Sequence, residues 1–397
     1  MIKQPDNHKL YLNQLKKQHK SKKNHVSKIP IFIADEKKNE IKPNQKGVCG
    51  LIKKIYVNSI IPKMAVDSAF LIENPTLRTG KNNKYIACSI SDNTGKISCK
   101  IWGQYNSGAC DIEEVFNALA ENEGQIFRIS GKADKYNNDL NINVNDGIEY
   151  LKNPVDIKKI TPSDYIYSPA NIKENRDKIL KLCESVKNRG LKDLLQTVIK
   201  KSEGFFEKPA AKSRHHDYTG GLCEHTLEVA EISLSIGRNL AGINLNYDIL
   251  IAGAILHDIG KCQSFDKKGL YYAPNPSYSL LGHITPAMQT LSRYRAFVDE
   301  GTYLELLHII QSHHGEHGET RPQTPEAWIV HFADNISATL HEISEDLKPA
   351  ERGELLWGKR MDGFVFKSDS YEENSEKVNS SESSKKDMTT LDCFNSE

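Results

Sequence analysis

Residues 249–261 read ILIAGAILHDIGK, and this stretch decides how the rest of the chain is read. The unbroken apolar run from Ile249 to Leu256 predicts a buried helix extending to about residue 259. His257 and Asp258 sit at its end, with Lys261 just beyond. Dehydrating an imidazole and a carboxylate side by side costs several kcal/mol unless both find partners. A divalent metal is the partner that suits the pair.

Working outward, nine of the fourteen histidines fall between His215 and His317. A lone buried histidine is more often a hydrogen-bonded core residue than a ligand, so the joint pattern carries the weight. His225 follows the Gly220-Gly221 pair, His283 follows Gly282, His313-His314 closes another helical stretch, and Asp334 lies in an apolar context. Each stands on a separate helix or helix end, and helical bundles build metal sites from such inward-pointing ligands. Imidazole and carboxylate without thiolate suit Mn, Fe, Co, Ni or Zn better than Ca or Mg. One ion could take His225, His257, Asp258 and Asp334; a second could share Asp258 and take His283 and His313. Two such ions, about 3.5–4 Å apart, suit phosphoryl transfer. Lys261 then either neutralises charge on the reacting phosphate or is only a cation at a helix C-terminus. His314 either completes the second ion's shell or orients a scissile phosphate. Arg214 and His216 could bind phosphate or be plain loop residues.

The remaining texture predicts a multidomain chain: a small all-β barrel followed by an all-α domain, with disordered tails. Residues 1–48 are a basic flexible arm. Within 49–152, an extra strand or lead-in (51–56 and 57–61) precedes strands at 69–73, 84–91, 96–102, 125–133 and 140–150. A helix at 112–119 falls between the third and fourth strands, the order of an OB barrel. Residues 153–170, stiffened by Pro154, Pro162 and Pro169, read as a linker. Helical spacing then runs through 171–366, with helices near 222–240, 247–259, 280–298, 302–314 and 325–345. Residues 367–397 read as a disordered tail.

Charge is balanced overall, 53 Lys+Arg against 52 Asp+Glu, so no global case for an anionic partner exists. Locally, residues 1–54 hold fourteen Lys against four acids, and 367–397 hold eight acids against four Lys. Eight cysteines without a CxxC pair argue against a disulfide scaffold and for a reducing cytoplasm. The chain has no apolar run long enough to span a membrane.

The stretches PAAKSRHHDYTGGLCEHTLEVA (209–230), GAILHDIGK (253–261), GHI (282–284), SHHG (312–315) and FADNISA (332–338) resemble the HD-domain metallophosphohydrolase superfamily. With FLIENPTLRTGKNNKYIACSISDNTGKISCKIWG (70–103) and LWGKRMDGFVF (356–366), the chain is similar to the YhaM-type 3′-5′ exoribonucleases, which join an OB domain to an HD domain. The resemblance covers about residues 66–366; the arm and tail exceed that core. It implies metal-dependent hydrolysis, typically with Mn, releasing nucleoside monophosphates from single-stranded 3′ ends. RNA is the expected substrate, with DNA open. Platform and groove candidates on the barrel are Tyr85, Trp102, Tyr105, Phe127 and Tyr136, with Arg78, Lys81, Lys84, Lys96, Lys100, Lys132 and Lys135. Hydrolysis of free nucleotides, or non-catalytic nucleic-acid binding, are the competing readings. Self-association stays open.

Overall fold

A computed structural model describes residues 53–80, 83–102, 111–136, 139–145, 148–240 and 242–370. The basic arm and most of the acidic tail, together with Lys81 and Tyr105, lie outside these residues.

The first half is built from β1 (Ala65–Thr79), β2 (Lys84–Asp92), β3 (Gly95–Trp102), α1 (Ile112–Glu121), β4 (Ile126–Tyr136) and β5 (Asp139–Val144). The strands close in the order β1-β2-β3-β5-β4, with β3 and β5 parallel and the other pairs antiparallel. Alternation sends Phe70, Ile72, Ile86, Ile90, Cys99, Ile101, Phe127, Ile129 and Ile142 inward. Val115 and Leu119 of α1 plug the same core, and Asp111 caps that helix by accepting from the Glu113 amide.

Three expectations are corrected here. The lead-in at 57–61 is not a strand, because Val57–Ser59 forms a 3₁₀ turn. The strand expected over 140–150 stops at Val144, and Ile148–Lys152 is a 3₁₀ helix. Ile148 and Leu151, three apart, bury one face of that tight helix against the barrel, which strand alternation could not do. Phe127 is not a platform, since its ring lies in the barrel core.

The linker is packed, not a loose spacer. Tyr165 is buried with Ala69, Leu71 and Ile126 of the barrel and with Tyr271 and Ala273. That contact explains why the middle of β1 is buried on both faces.

The second half contains α2 (Ile172–Ser185), α3 (Arg189–Lys201), α4 (Gly221–Asn239), α5 (Tyr247–Leu256), α6 (Pro276–Leu280), α7 (Ile284–Ser292), α8 (Glu300–Ser312) and α9 (Pro325–Leu347). Every residue of α5 from Ile249 to Leu256 is buried, as a helix apolar on all sides requires. It packs among α3, α4, α8 and α9.

The all-α expectation is corrected by two hairpins, β6 (Phe265–Lys268) with β7 (Tyr271–Pro274), and β8 (Leu355–Gly358) with β9 (Gly363–Phe366). Their four-residue strands are too short for a periodicity scan to register. The single helix expected over 280–298 is broken at Gly282, whose φ is +64°, leaving His283 just ahead of α7. Order also extends past residue 366, because Lys367 exchanges backbone hydrogen bonds with Gly353 and Glu354. Among the described residues, no helix is long and apolar enough to cross a membrane.

Candidate metal centre

Asp258 stands at the middle of the constellation, 2 % exposed, just past the end of α5. Its two oxygens face different partners. Oδ2 lies 3.4 Å from His225 Nε2, 3.3 Å from His257 Nε2 and 2.5 Å from Lys261 Nζ. Oδ1 lies 3.2 Å from His283 Nε2 and 3.9 Å from His313 Nε2. Asp334 of α9 joins the first group, with Oδ1 3.1 Å from His225 Nε2. The structure thus brings His225, His257, Asp258, His283, His313 and Asp334 into one cluster. Gly260 makes the second group possible, because a Cβ there would lie 1.8 Å from the His283 carbonyl oxygen.

The donor set fits a divalent cation. His257 Nδ1 donates to Ala254 O at 2.8 Å and His313 Nδ1 to Ile310 O at 2.7 Å. Their Nε2 atoms are therefore left to face the cluster. Nε2 of His225 and His257 stand 3.4 Å apart, and those of His283 and His313 3.2 Å apart. Asp258 Oδ1 is enclosed without a hydrogen-bond partner. Imidazole nitrogens converging on an orphaned carboxylate oxygen are satisfied by a cation.

Protonation follows from the same geometry. Burial works against a charged His225, but Asp258 and Asp334 outweigh it and push its pKa up to about 9. Burial holds His283 down at about 4 and His313 well below the usual range. Burial also disfavours the Asp258 and Asp334 carboxylates, yet Lys261 and the imidazoles keep Asp258, and the imidazoles alone Asp334, below the usual value.

His314 stacks edge-on against His313 and His283, and the three could share an ion. It also lines a cavity of about 430 Å³ with Lys212, Arg214, Lys261, Tyr278 and His283. Through Ser213 and Arg214 this cavity adjoins a groove of about 910 Å³ that reaches Ser98 and Leu140 of the barrel. His216, expected to touch nucleic acid, does not: it is fully buried and stacks on His341 at 4.1 Å.

On the barrel, Tyr85 and Trp102 are cross-strand neighbours whose rings stack at 4.6 Å. Strand alternation puts Arg78 and Lys100 on the same outer face. Lys84 is corrected, since it points the other way and pairs with Glu113 of α1. Lys96 is also corrected. Its ammonium lies 2.9 Å from Glu73 and donates to the Asp217 carbonyl, tying β3 to the loop that carries Arg214.

Residue reasoning missed Ser337 and Glu228. Ser337 Oγ lies 2.9 Å from His225 Nδ1 and donates to Glu228 Oε2 at 2.6 Å. Each stands three residues beyond a candidate ligand, Asp334 or His225, on the same helix face, and that spacing was the available signal.

A family model described as the HD domain matches residues 222–339. The 3′-5′ exoribonuclease YhaM of Halalkalibacterium halodurans is 28 % identical over 317 residues, covering 76 % of this chain and 92 % of that protein. The Bacillus subtilis protein of the same name is 26 % identical over 309 residues, 73 % and 90 % respectively. The dihydroneopterin 2′,3′-cyclic phosphate phosphodiesterase of Methanocaldococcus jannaschii is 32 % identical over 182 residues, 42 % of this chain and 71 % of that enzyme.

Proposed function

The chain belongs to the HD-domain family, and from that premise we propose that it is a metal-dependent 3′-5′ exonuclease that hydrolyses single-stranded RNA to nucleoside monophosphates. The observation that carries this reading is Asp258, whose two oxygens each face a separate pair of imidazoles. His225, His257, Asp258 and Asp334 would hold one divalent ion, and Asp258, His283 and His313 a second. Manganese is the favoured metal, with Fe, Co, Ni or Zn also suited to this donor set. When bound, the ions supply Lewis acidity and activation of the attacking nucleophile.

The protein's own groups do the rest. Lys261 Nζ sits between Asp258 and the cavity, where it meets the charge that develops on the scissile phosphate. His314, which lines the same cavity, orients that phosphate. Arg214 and Lys212 hold the preceding backbone. The barrel is read as an OB domain whose Tyr85–Trp102 face, flanked by Arg78 and Lys100, grips the strand upstream. The groove adjoining the cavity at Arg214 supports a continuous path from barrel to metal centre. DNA is a secondary substrate of the same site. The buried free thiols Cys88, Cys99, Cys183, Cys223 and Cys262 fit a cytoplasmic setting.

Product mapping on an RNA labelled at its 5′ end, with Mn present, tests the reading. A ladder shortening from the 3′ end with release of monophosphates is expected. Intact RNA alongside hydrolysed cyclic or free nucleotides overturns it. That outcome is the second reading, favoured by the similarity to the archaeal phosphodiesterase. Its 182 matched residues are too few to include both halves of this chain. Self-association is read from the apolar stripe Phe332, Ile336 and Leu340 exposed along α9. A monomer at all concentrations in sedimentation rejects it.

A further inference from the structure

We propose that Ser337, backed by Glu228 and His216, positions the ring of His225 to receive its ion; the inference rests on the hydrolase reading above. A hydroxyl has one proton, and that of Ser337 goes to Glu228 Oε2. Towards His225 Nδ1, at 2.9 Å, the oxygen can therefore only accept. Nδ1 carries the ring proton, and the Nε2 lone pair is aimed at Asp258 and Asp334.

His225 needs this arrangement and its neighbours do not. His257 and His313 lie at helix C-termini, where carbonyls three residues back have no intrahelical amide to accept from. Each ring spends its Nδ1 proton there, on Ala254 O and Ile310 O. His225 is the fifth residue of α4, a nineteen-residue helix, so the carbonyls behind it serve the helix ladder. Its acceptor must come from another element, and α9 supplies it.

The support extends one residue deeper. His216 Nε2 stands 3.2 Å from Glu228 Oε2, and the His216 backbone is held at φ +52°, a conformation non-glycine residues rarely adopt. Strain of this kind persists where the surroundings over-determine it. Here the His341 ring stacks on one side, and α4 begins against the His216 carbonyl. Only glycine permits that start, since a Cβ on Gly221 would lie 2.1 Å from His216 O. His216, Gly221, His225 and Glu228 therefore act as one unit. His216, His225 and Glu228 lie close enough to hold a cation of their own. Both His225 nitrogens are already committed, Nδ1 to Ser337 and Nε2 to the metal centre, which disfavours that use.

The test uses the full chain as wild type, Ser337→Ala, Ser337→Thr and Glu228→Gln, with Mn as the probe. Calorimetric titration and elemental analysis read affinity and stoichiometry. Ser337→Ala is expected to weaken one ion by roughly ten- to a hundredfold and leave the other unchanged, with Ser337→Thr restoring it. Nitrogen NMR of the ion-free chain, above the pH at which His225 titrates, reads the ring directly. Wild type should show the proton on Nδ1 and Ser337→Ala a mixture of tautomers. Unchanged affinity for both ions with an unchanged tautomer overturns the proposal. So does a further ion in wild type that Glu228→Gln alone loses. Should wild type bind no ion, the hydrolase reading fails, and the tautomer result alone decides the role of Ser337.

Discussion

The barrel and the helical half handle their charges in opposite ways. On the barrel surface, Lys84 pairs with Glu113 and Arg128 with Asp67 in half-exposed bridges that solvent screens. At the end of α5, by contrast, two carboxylates and four imidazoles face one another at 3.1–3.9 Å in a largely enclosed site. Such a cluster is costly by itself and becomes favourable when a cation fills it. The barrel therefore tolerates substitution with graded loss, whereas the helical centre works as a unit.

Removing the shared carboxylate applies the strongest test of that contrast. Asp258→Ala should lose bound metal and lower RNA hydrolysis by about a thousandfold or more, measured as kcat/KM with Mn present. A barrel substitution of equal chemistry, Asp67→Ala, should leave hydrolysis within about twofold, since it breaks only an exposed bridge. Equal losses from the two would erase the distinction.

The junction between the halves comes next. Lys96 joins Glu73 and the Asp217 carbonyl with only part of its side chain in solvent. Lys96→Met leaves Glu73 enclosed with Ser91 as its remaining hydrogen-bond partner. Unfolding should become easier by about 2–3 kcal/mol, below the full cost for an entirely enclosed pair. Denaturant titration measures it, and an unchanged midpoint rejects a structural role for the pair.

Much of the helical half was legible because its candidate ligands stand where apolar runs stop, as His257-Asp258 does at the end of α5. Adjacent polar residues at a helix end have few packing explanations. The barrel's strand order was readable for the same periodic reason, yet its outer face was not. Alternation tells which side chains face outward but not what lies there, so Lys96 read as a groove residue when the loop at Asp217 holds it. Phe127 was misplaced by reading ring type without strand phase. His216 was misjudged because a positive φ and a stacking partner 125 residues away leave no local trace. Ser337 escaped for a related reason: its role exists only where α9 meets α4.

Acidity gives a smaller effect with opposite signs in the two states of the centre. His225 in the ion-free chain titrates at about 9, above the ordinary value of 6.5. Its contribution to ion-free stability is complete below 6.5 and is lost as pH rises towards 9. Metal must displace that same proton, so affinity should rise about tenfold per pH unit across this window and level off above it. His215, His283 and His341, lowered to about 2, 4 and 4, titrate below that window. Thermal melts without metal and Mn titrations across the same range check both slopes. Parallel slopes would mean that His225 is not where the proton and the ion compete.

The smallest effect belongs to the barrel's outer face. Trp102 stacks on Tyr85, and its indole N–H donates to Asn143, so the ring is already fixed when a base arrives. A preformed platform loses little side-chain freedom on binding, and stacking a base is worth about 1–3 kcal/mol. With one ring face taken by Tyr85, the lower end applies, about 1 kcal/mol or fivefold. Trp102→Ala should raise KM for a long single strand by that factor while leaving kcat/KM for a dinucleotide unchanged, because a dinucleotide ends at the metal centre. Trp102→Phe keeps the stack and should recover most of the loss. Equal weakening on both substrates would show that the substitution disturbs the fold, and no change on either would leave the face to a protein partner.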